Sequence, residues 1–150
     1  MDDTATRVLR GVLLVGGTGV VQVFAQIVLS HMMEVLPHPR SSSRPTFFMI
    51  AHSVVAVLVL MAGHMLQVTL WALLYHFDWG EFGSFGSALY FSLASFTTVG
   101  ASELALSAGH RMVGALESAA GMLMFGWSTA LLVRVVQRTD RAATGQGDGQ

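Results

Sequence analysis

Three long stretches of this sequence carry almost no charge, and they limit the folds open to it more than any other feature. Gly11 to Met33 is 23 residues without a charged side chain, and Thr46 to Phe77 is longer and free of Asp, Glu, Lys and Arg. Met112 to Val133 contains a single acid, Glu117. About 20 apolar helical residues cross the hydrocarbon core of a bilayer. The sequence therefore predicts an all-α membrane protein with three transmembrane helices.

Composition narrows the possible functions further. The chain has 150 residues, of which 53% are hydrophobic and 11% are charged, with a net charge of -1 and no cysteine. Soluble domains carry about 25% charged residues, and nucleic-acid binders carry basic patches that are absent here. The six histidines form no His-x-x-x-His pair, and no nucleophile–base pair or phosphate loop is present. We expect no enzyme activity, no cofactor, no resident metal and no nucleic-acid partner.

The chain divides into three parts. Residues 1–45 hold the first span and a polar turn rich in proline, serine and arginine. Residues 46–138 hold the other two spans and the segment between them. Residues 139–150 are rich in Gly, Gln, Asp and Ala and predict a disordered tail. The first span is the weakest helix, because three glycines interrupt it, at Gly16, Gly17 and Gly19.

The distribution of arginine predicts the orientation in the membrane. Five arginines fall on one side of the predicted spans, namely Arg40, Arg44, Arg134, Arg138 and Arg141. Three fall on the other side, namely Arg7, Arg10 and Arg111. Since basic residues favour the cytoplasmic face, we expect the N-terminus outside and the C-terminus in the cytoplasm.

The segment between the second and third spans is unusual. Residues Ser84 to Thr97 are apolar enough for a membrane but too short to cross it, and Ser84 or Ser87 could cap a helix there. Thr98-Val99-Gly100 follows at once. Non-helical backbone at membrane depth is tolerated only when protein buries it or when it lines a water-filled cavity. The pattern predicts a re-entrant helix followed by a loop.

This arrangement resembles the two-helix pore module of tetrameric potassium-channel-like pores, in which a Thr-Val-Gly string forms the selectivity filter. The resemblance runs from about His64 to Arg138 and is stronger still to small bacterial ion-channel proteins. Four strings carry it, at His64–Ala72, Ala88–Ser92, Arg111–Glu117 and Phe125–Ala130. The resemblance implies a homotetramer around one axial pore, embedded in the lipid of a bacterial inner membrane.

The same resemblance assigns a filter. Its ion-binding residues would be Thr98, Val99, Gly100, Ala101 and Ser102, with permeant K+ or Na+ as the bound ion. The usual continuation after Thr-Val-Gly is Tyr-Gly-Asp, whereas this chain has Ala101-Ser102-Glu103. The outer filter would lose its packing aromatic and its second flexible glycine, so we expect weak selectivity between K+ and Na+. Glu103 would form a ring of carboxylates at the pore mouth, while Asp78 and Glu81 are expected to be plain interfacial acids.

Glu117 is the only acid within a span, and such residues usually face the interior of a helix bundle. We expect it to support the filter from behind, with the permeation path as the alternative. Its expected partners are hydroxyls of the short helix, Ser92 and Ser95, or the side chains of His64 and Gln67. His64 and Gln67 are assigned to filter support together with Glu117; they lie on one helical face and are predicted to hydrogen-bond between helices.

The third span supplies the remaining expected site residues. By resemblance its cavity-lining positions are Met122, Phe125, Thr129 and Val133. Gly121 matches a hinge position, although close packing would equally explain a glycine there. The favoured function is a cation channel with a degenerate filter; the alternatives are a non-conducting pore-fold subunit with an assembly or sensing role, and an unrelated helical membrane protein.

Overall fold

The structure is a computed structural model that describes residues 2–35, 45–101 and 103–144. Those residues form helices joined by turns and loops, with no strand among them. Four α-helices follow one another along the chain: α1 (Asp2–Val35), α2 (Pro45–Leu73), α3 (Phe85–Phe96) and α4 (Arg111–Thr144). A π-helical turn, Leu74–Asp78, extends the end of α2.

Three of these helices are long and apolar enough to cross a membrane. The candidate spans are Ala5–Val35, Met49–Asp78 and Arg111–Arg138. At 12 residues α3 is about 18 Å long, too short to cross a core of about 30 Å. For the described residues, the expectation of an all-α fold with three helices able to span a membrane is confirmed.

The first span forms a more continuous helix than its three glycines suggested. α1 is one continuous helix through Gly16, Gly17 and Gly19. A helix satisfies its backbone hydrogen bonds internally, and this requirement dominates propensity inside a membrane. The predicted tail included residues 139–144, which are helical here because α4 continues to Thr144. Residues 139–144 contain no glycine or proline that would end the helix. Residues 145–150 and the polar turn at 36–44 lie outside the described residues.

The three long helices pack against one another, and α3 lies in the angle between α2 and α4. An aromatic cluster fills the half of the molecule that holds α3, with Trp71, Tyr75, Phe91 and Phe96 buried in it. An aliphatic cluster joins α1, α2 and α4 in the other half. Near the start of α1, Arg10 forms an ion pair of 2.6 Å with Asp78, so the N-terminal end of α1 lies on the same side as the loop after α2.

Candidate functional site

The start of α3 is fixed by a cap. The Ser84 hydroxyl accepts a hydrogen bond of 3.1 Å from the backbone N–H of Ser87, satisfying one of the free donors of the first helical turn. The predicted cap at Ser84 is confirmed. It holds α3 at the position where the chain returns from α2.

The end of α3 passes directly into a loop tied to the helix it leaves. The N–H of Thr98 donates to the carbonyl of Ser95 at 2.9 Å, and the N–H of Gly100 donates to the carbonyl of Ala94 at 3.0 Å. Both bonds use carbonyls that a helix end would otherwise leave without partners. The loop is therefore folded back over the C-terminal end of α3, where the helix dipole favours a cation.

Two residues of this loop have left-handed backbone geometry. Gly100 has a φ of 80°, which glycine adopts without a steric cost, and Thr98 has a φ of 63°. A threonine in that conformation is strained by about 1–2 kcal/mol. No local sequence pattern indicates this conformation for Thr98. Between them, Val99 is 81% exposed, so this apolar side chain has almost no contact within the protomer.

The outer part of the loop is only partly described. Ala101 is half-buried against the aromatic cluster, and Ser102 lies outside the described residues. Glu103 is exposed, and its carboxylate lies close enough to the hydroxyl of Tyr90 on α3 to interact with it. This contact joins the chain beyond the loop to the helix before it.

Glu117 is fully buried behind α3. Its carboxyl group receives a hydrogen bond of 2.8 Å from the hydroxyl of Tyr75 and lies 2.5 Å from the hydroxyl of Ser92. Of the partners expected from the sequence, Ser92 is present and Ser95 is not. The carbonyl of Ser95 instead accepts from the Ser118 hydroxyl at 2.8 Å.

The hydrogen-bonding groups around Glu117 are all satisfied when its carboxyl group carries a proton. The Ser92 hydroxyl has one hydrogen but two neighbouring oxygens, one on Glu117 and one on the carbonyl of Val68 at 2.8 Å. Ser92 can donate to Val68 and accept from a protonated Glu117, while Tyr75 donates to the other carboxyl oxygen. A buried neutral acid also avoids the cost of an unpaired charge. Glu117 thereby connects α4 to both α2 and α3.

Tyr75 is the site residue that the sequence analysis missed. It lies in the π-helical turn after α2 and is buried. Its ring makes edge contacts with Phe82 and Phe91 and lies beside Trp79. A tyrosine in an apolar span needs a partner for its hydroxyl, and the isolated acid of the next span was the available one.

His64 and Gln67 do not reach Glu117. They belong to a second polar group, here called the polar ring, together with Gln22 of α1 and Ser128 of α4. Gln67 donates to Gln22 at 3.1 Å, Gln22 donates to Ser128 at 2.9 Å, and Ser128 contacts His64 at 3.0 Å. His64 closes the ring on Gln67 at 3.4 Å. The predicted interhelical hydrogen bonds are confirmed, and they join α1, α2 and α4.

All four hydrogen bonds of the polar ring can form at once when His64 is neutral and carries its proton on Nδ1. His64 then donates to Gln67 and accepts from Ser128, so each member gives one bond and takes one. The imidazole also packs against Phe125 of α4, at 4.7 Å between ring centroids, and against Phe96 of α3, at 5.9 Å. Through His64, the polar ring therefore contacts Phe96, the last residue of α3 before the loop.

The face of α4 assigned to a cavity is open in the protomer. Met122 is 59% exposed, Val133 is 50% exposed, and Phe125 and Thr129 also lie at the surface. Gly121 lies on a different face, where a Cβ would collide with the backbone carbonyl of Phe96. This glycine lets α4 approach the end of α3, which supports the packing explanation for it.

Glu81 differs from the plain interfacial acid that was expected. It is largely buried, and it accepts hydrogen bonds from the backbone and hydroxyl of Ser107 and pairs with His110. Burial raises the pKa of Glu81, but the bonds from Ser107 and His110 outweigh that effect, so the pKa is lowered overall. Trp79 stacks on His110 at 4.1 Å. The cluster links the loop before α3 to the start of α4.

Comparison with known proteins places the chain in a family. Three apolar helices, with a short apolar helix and a left-handed loop held between two of them, define a multi-pass membrane protein. The sequence model of the ion channel family matches residues 54–138, more than half of the chain. The chain belongs to this family. No curated protein and no solved structure matches it, and among the described residues no group of three or more His, Cys, Asp or Glu could hold a metal ion.

Proposed function

We propose that four copies of this chain assemble around one axis and conduct monovalent cations, with the loop from Thr98 to Ser102 as the filter. The observation that carries the proposal is the loop itself. Gly100 and Thr98 have left-handed backbones, and Val99 is 81% exposed at the end of a short apolar helix. One copy supplies too few carbonyl oxygens to surround an ion. A ring of four would supply enough and would cover Val99.

Selectivity follows from how the outer filter is held. Ala101 has no aromatic ring to hold the loop narrow, and Ser102 would meet a steric cost in a left-handed conformation. The interaction between Tyr90 and Glu103 is a restraint within one protomer. We propose that it sets the position of the pore mouth, and that the pore prefers K+ to Na+ only weakly.

The cell membrane is the proposed location, with the N-terminus outside. The chain has no cysteine, so a single cysteine introduced at Ala5 or at Gly145 would report its side through labelling with an impermeant maleimide. Labelling of intact cells at Ala5→Cys alone supports this orientation. Labelling at Gly145→Cys alone would reverse it.

The experiment that tests conduction is cation flux into liposomes that contain only the purified chain. K+ and Na+ should both enter, and Gly100→Ala should abolish flux because its φ of 80° disfavours a side chain. Gly83→Ala is the matched control, since a Cβ at Gly83 meets nothing within 4 Å. Absence of flux from a correctly folded parent would contradict the proposal, as would a stable dimer or trimer by native mass spectrometry.

A further inference from the structure

A small groove lies between α1 and α4, at the end of the molecule opposite the filter loop. Its floor is apolar and buried, built from Leu29 and Met33 of α1 and Leu131 and Val135 of α4. Ser30, Arg134 and Arg138 also line it, and its volume is about 60 Å³. α1 lies wholly outside the region that matches the ion channel family, so half of this groove is additional to the matched region.

Arg134 and Arg138 are one helical turn apart and therefore share a face of α4. Among the described residues, neither guanidinium takes part in a hydrogen bond or ion pair, although Arg10 is paired with Asp78. Glu34 is the acid of α1 closest in sequence to the groove residues Ser30 and Met33, but it does not line the groove. Two arginines without a partner among the described residues thus lie beside an apolar floor.

The length of α4 sets how deep Arg134 and Arg138 lie in the membrane. Arg111 stands at the start of the helix, and Arg134 follows about 35 Å along the axis. The hydrocarbon core of a bilayer is about 30 Å thick. With Arg111 at one membrane surface, Arg134 and Arg138 lie at the other, at the level of the lipid headgroups.

We infer that this groove binds one anionic phospholipid. The phosphate would pair with Arg134 and Arg138, and the start of an acyl chain would lie along the apolar floor. Arginine matches phosphate geometry with two parallel hydrogen bonds, and basic pockets between membrane helices at this level suit anionic headgroups. The lipid would bridge α1 to α4 below the polar ring. The inference depends on membrane insertion and not on conduction.

The test is native mass spectrometry of the full chain in detergent, with phosphatidylglycerol competing against phosphatidylcholine. Phosphatidylglycerol should bind more tightly to the parent. Each arginine near a membrane surface contributes about 1 kcal/mol towards anionic lipid, so Arg134→Gln and Arg138→Gln should each weaken binding about five-fold, and the pair about 30-fold. Ser30→Phe should also weaken binding, because it fills the groove and keeps both charges.

Arg111→Gln is the matched control, since it removes the same charge at the opposite end of α4. It should leave phosphatidylglycerol binding unchanged. Equal binding of both lipids, equal loss in Arg111→Gln, or no loss in Ser30→Phe would each overturn the inference. Glycerol phosphate that binds as tightly as the lipid would also overturn it, because the site would then hold a free phosphate ester.

Discussion

Glu117 is the residue on which α2, α3 and α4 converge, and its chemistry makes a sharp prediction. Glu117→Ala leaves the buried Tyr75 hydroxyl without a partner, at about 1–3 kcal/mol, and removes one of the two bonds of Ser92, which keeps its bond to the Val68 carbonyl. Glu117→Gln keeps the geometry of a neutral acid, because its amide donates to Ser92 and its carbonyl accepts from Tyr75. We expect a large fall in melting temperature for the alanine variant and a small one for glutamine.

Glu34→Ala is the control for this comparison, since Glu34 is an exposed acid at the far end of α1. Its melting temperature and flux should match those of the parent. If Glu117→Ala melts and conducts like Glu34→Ala, Glu117 supports neither the fold nor the filter. If glutamine is as damaging as alanine, the carboxyl group is ionised and the proposed proton is wrong.

Glu81 predicts how stability depends on pH. Its pKa in the folded protein is lower than in the unfolded chain, so the folded state holds this charge to lower pH. The resulting stability is complete above the unfolded pKa, about 4.3, and is lost as pH falls through the folded pKa. Glu81→Gln should flatten the fall in melting temperature between about pH 5 and pH 3.

Asp78→Asn serves as the control for Glu81. The Asp78 carboxylate and the Arg10 guanidinium are about half exposed, and exposed ion pairs contribute little. The acid dependence of Asp78→Asn should follow that of the parent. An unchanged slope in Glu81→Gln would assign the acid sensitivity to another group.

At the scale of helices, the polar ring explains how α1 is attached. Gln22→Ala removes bonds to Gln67 and Ser128, and hydrogen bonds between membrane helices average about 0.6 kcal/mol. We expect a loss of about 1–2 kcal/mol. Gln26→Ala, which loses one bond to the surface residue Trp127, should lose less. In a double-mutant cycle with Ser128→Ala, strictly additive losses would show that the ring is not a unit.

The elements also show what the sequence could and could not predict. Span length and charge predicted the three long helices, and the helical register of His64 and Gln67 predicted that they would bond between helices. The partners of His64 and Gln67 are Ser128 of α4 and Gln22 of α1. Which residues they would be depended on which helices become neighbours, and no local sequence pattern encodes that. Tyr75 was missed for the same reason, because its partner Glu117 lies on another helix. The filter residues themselves remain a prediction from resemblance.

At the scale of the whole assembly, the outer filter predicts a gain of function. Selectivity depends on how many carbonyls the four copies present and how rigidly they are held. Ala101→Tyr supplies an aromatic ring to each copy, and Ser102→Gly removes the steric cost of a left-handed backbone. The double variant should raise the ratio of K+ to Na+ flux in liposomes.

Ala105→Tyr is the matched control, because it adds the same ring at an exposed position of the same loop. It should leave the ratio of K+ to Na+ flux unchanged. Strong preference for K+ in the parent would mean that Thr98, Val99 and Gly100 suffice for selectivity. The loss of the tyrosine and second glycine would then have no bearing on which ion passes, and the argument from the outer filter would fail even though the pore conducts.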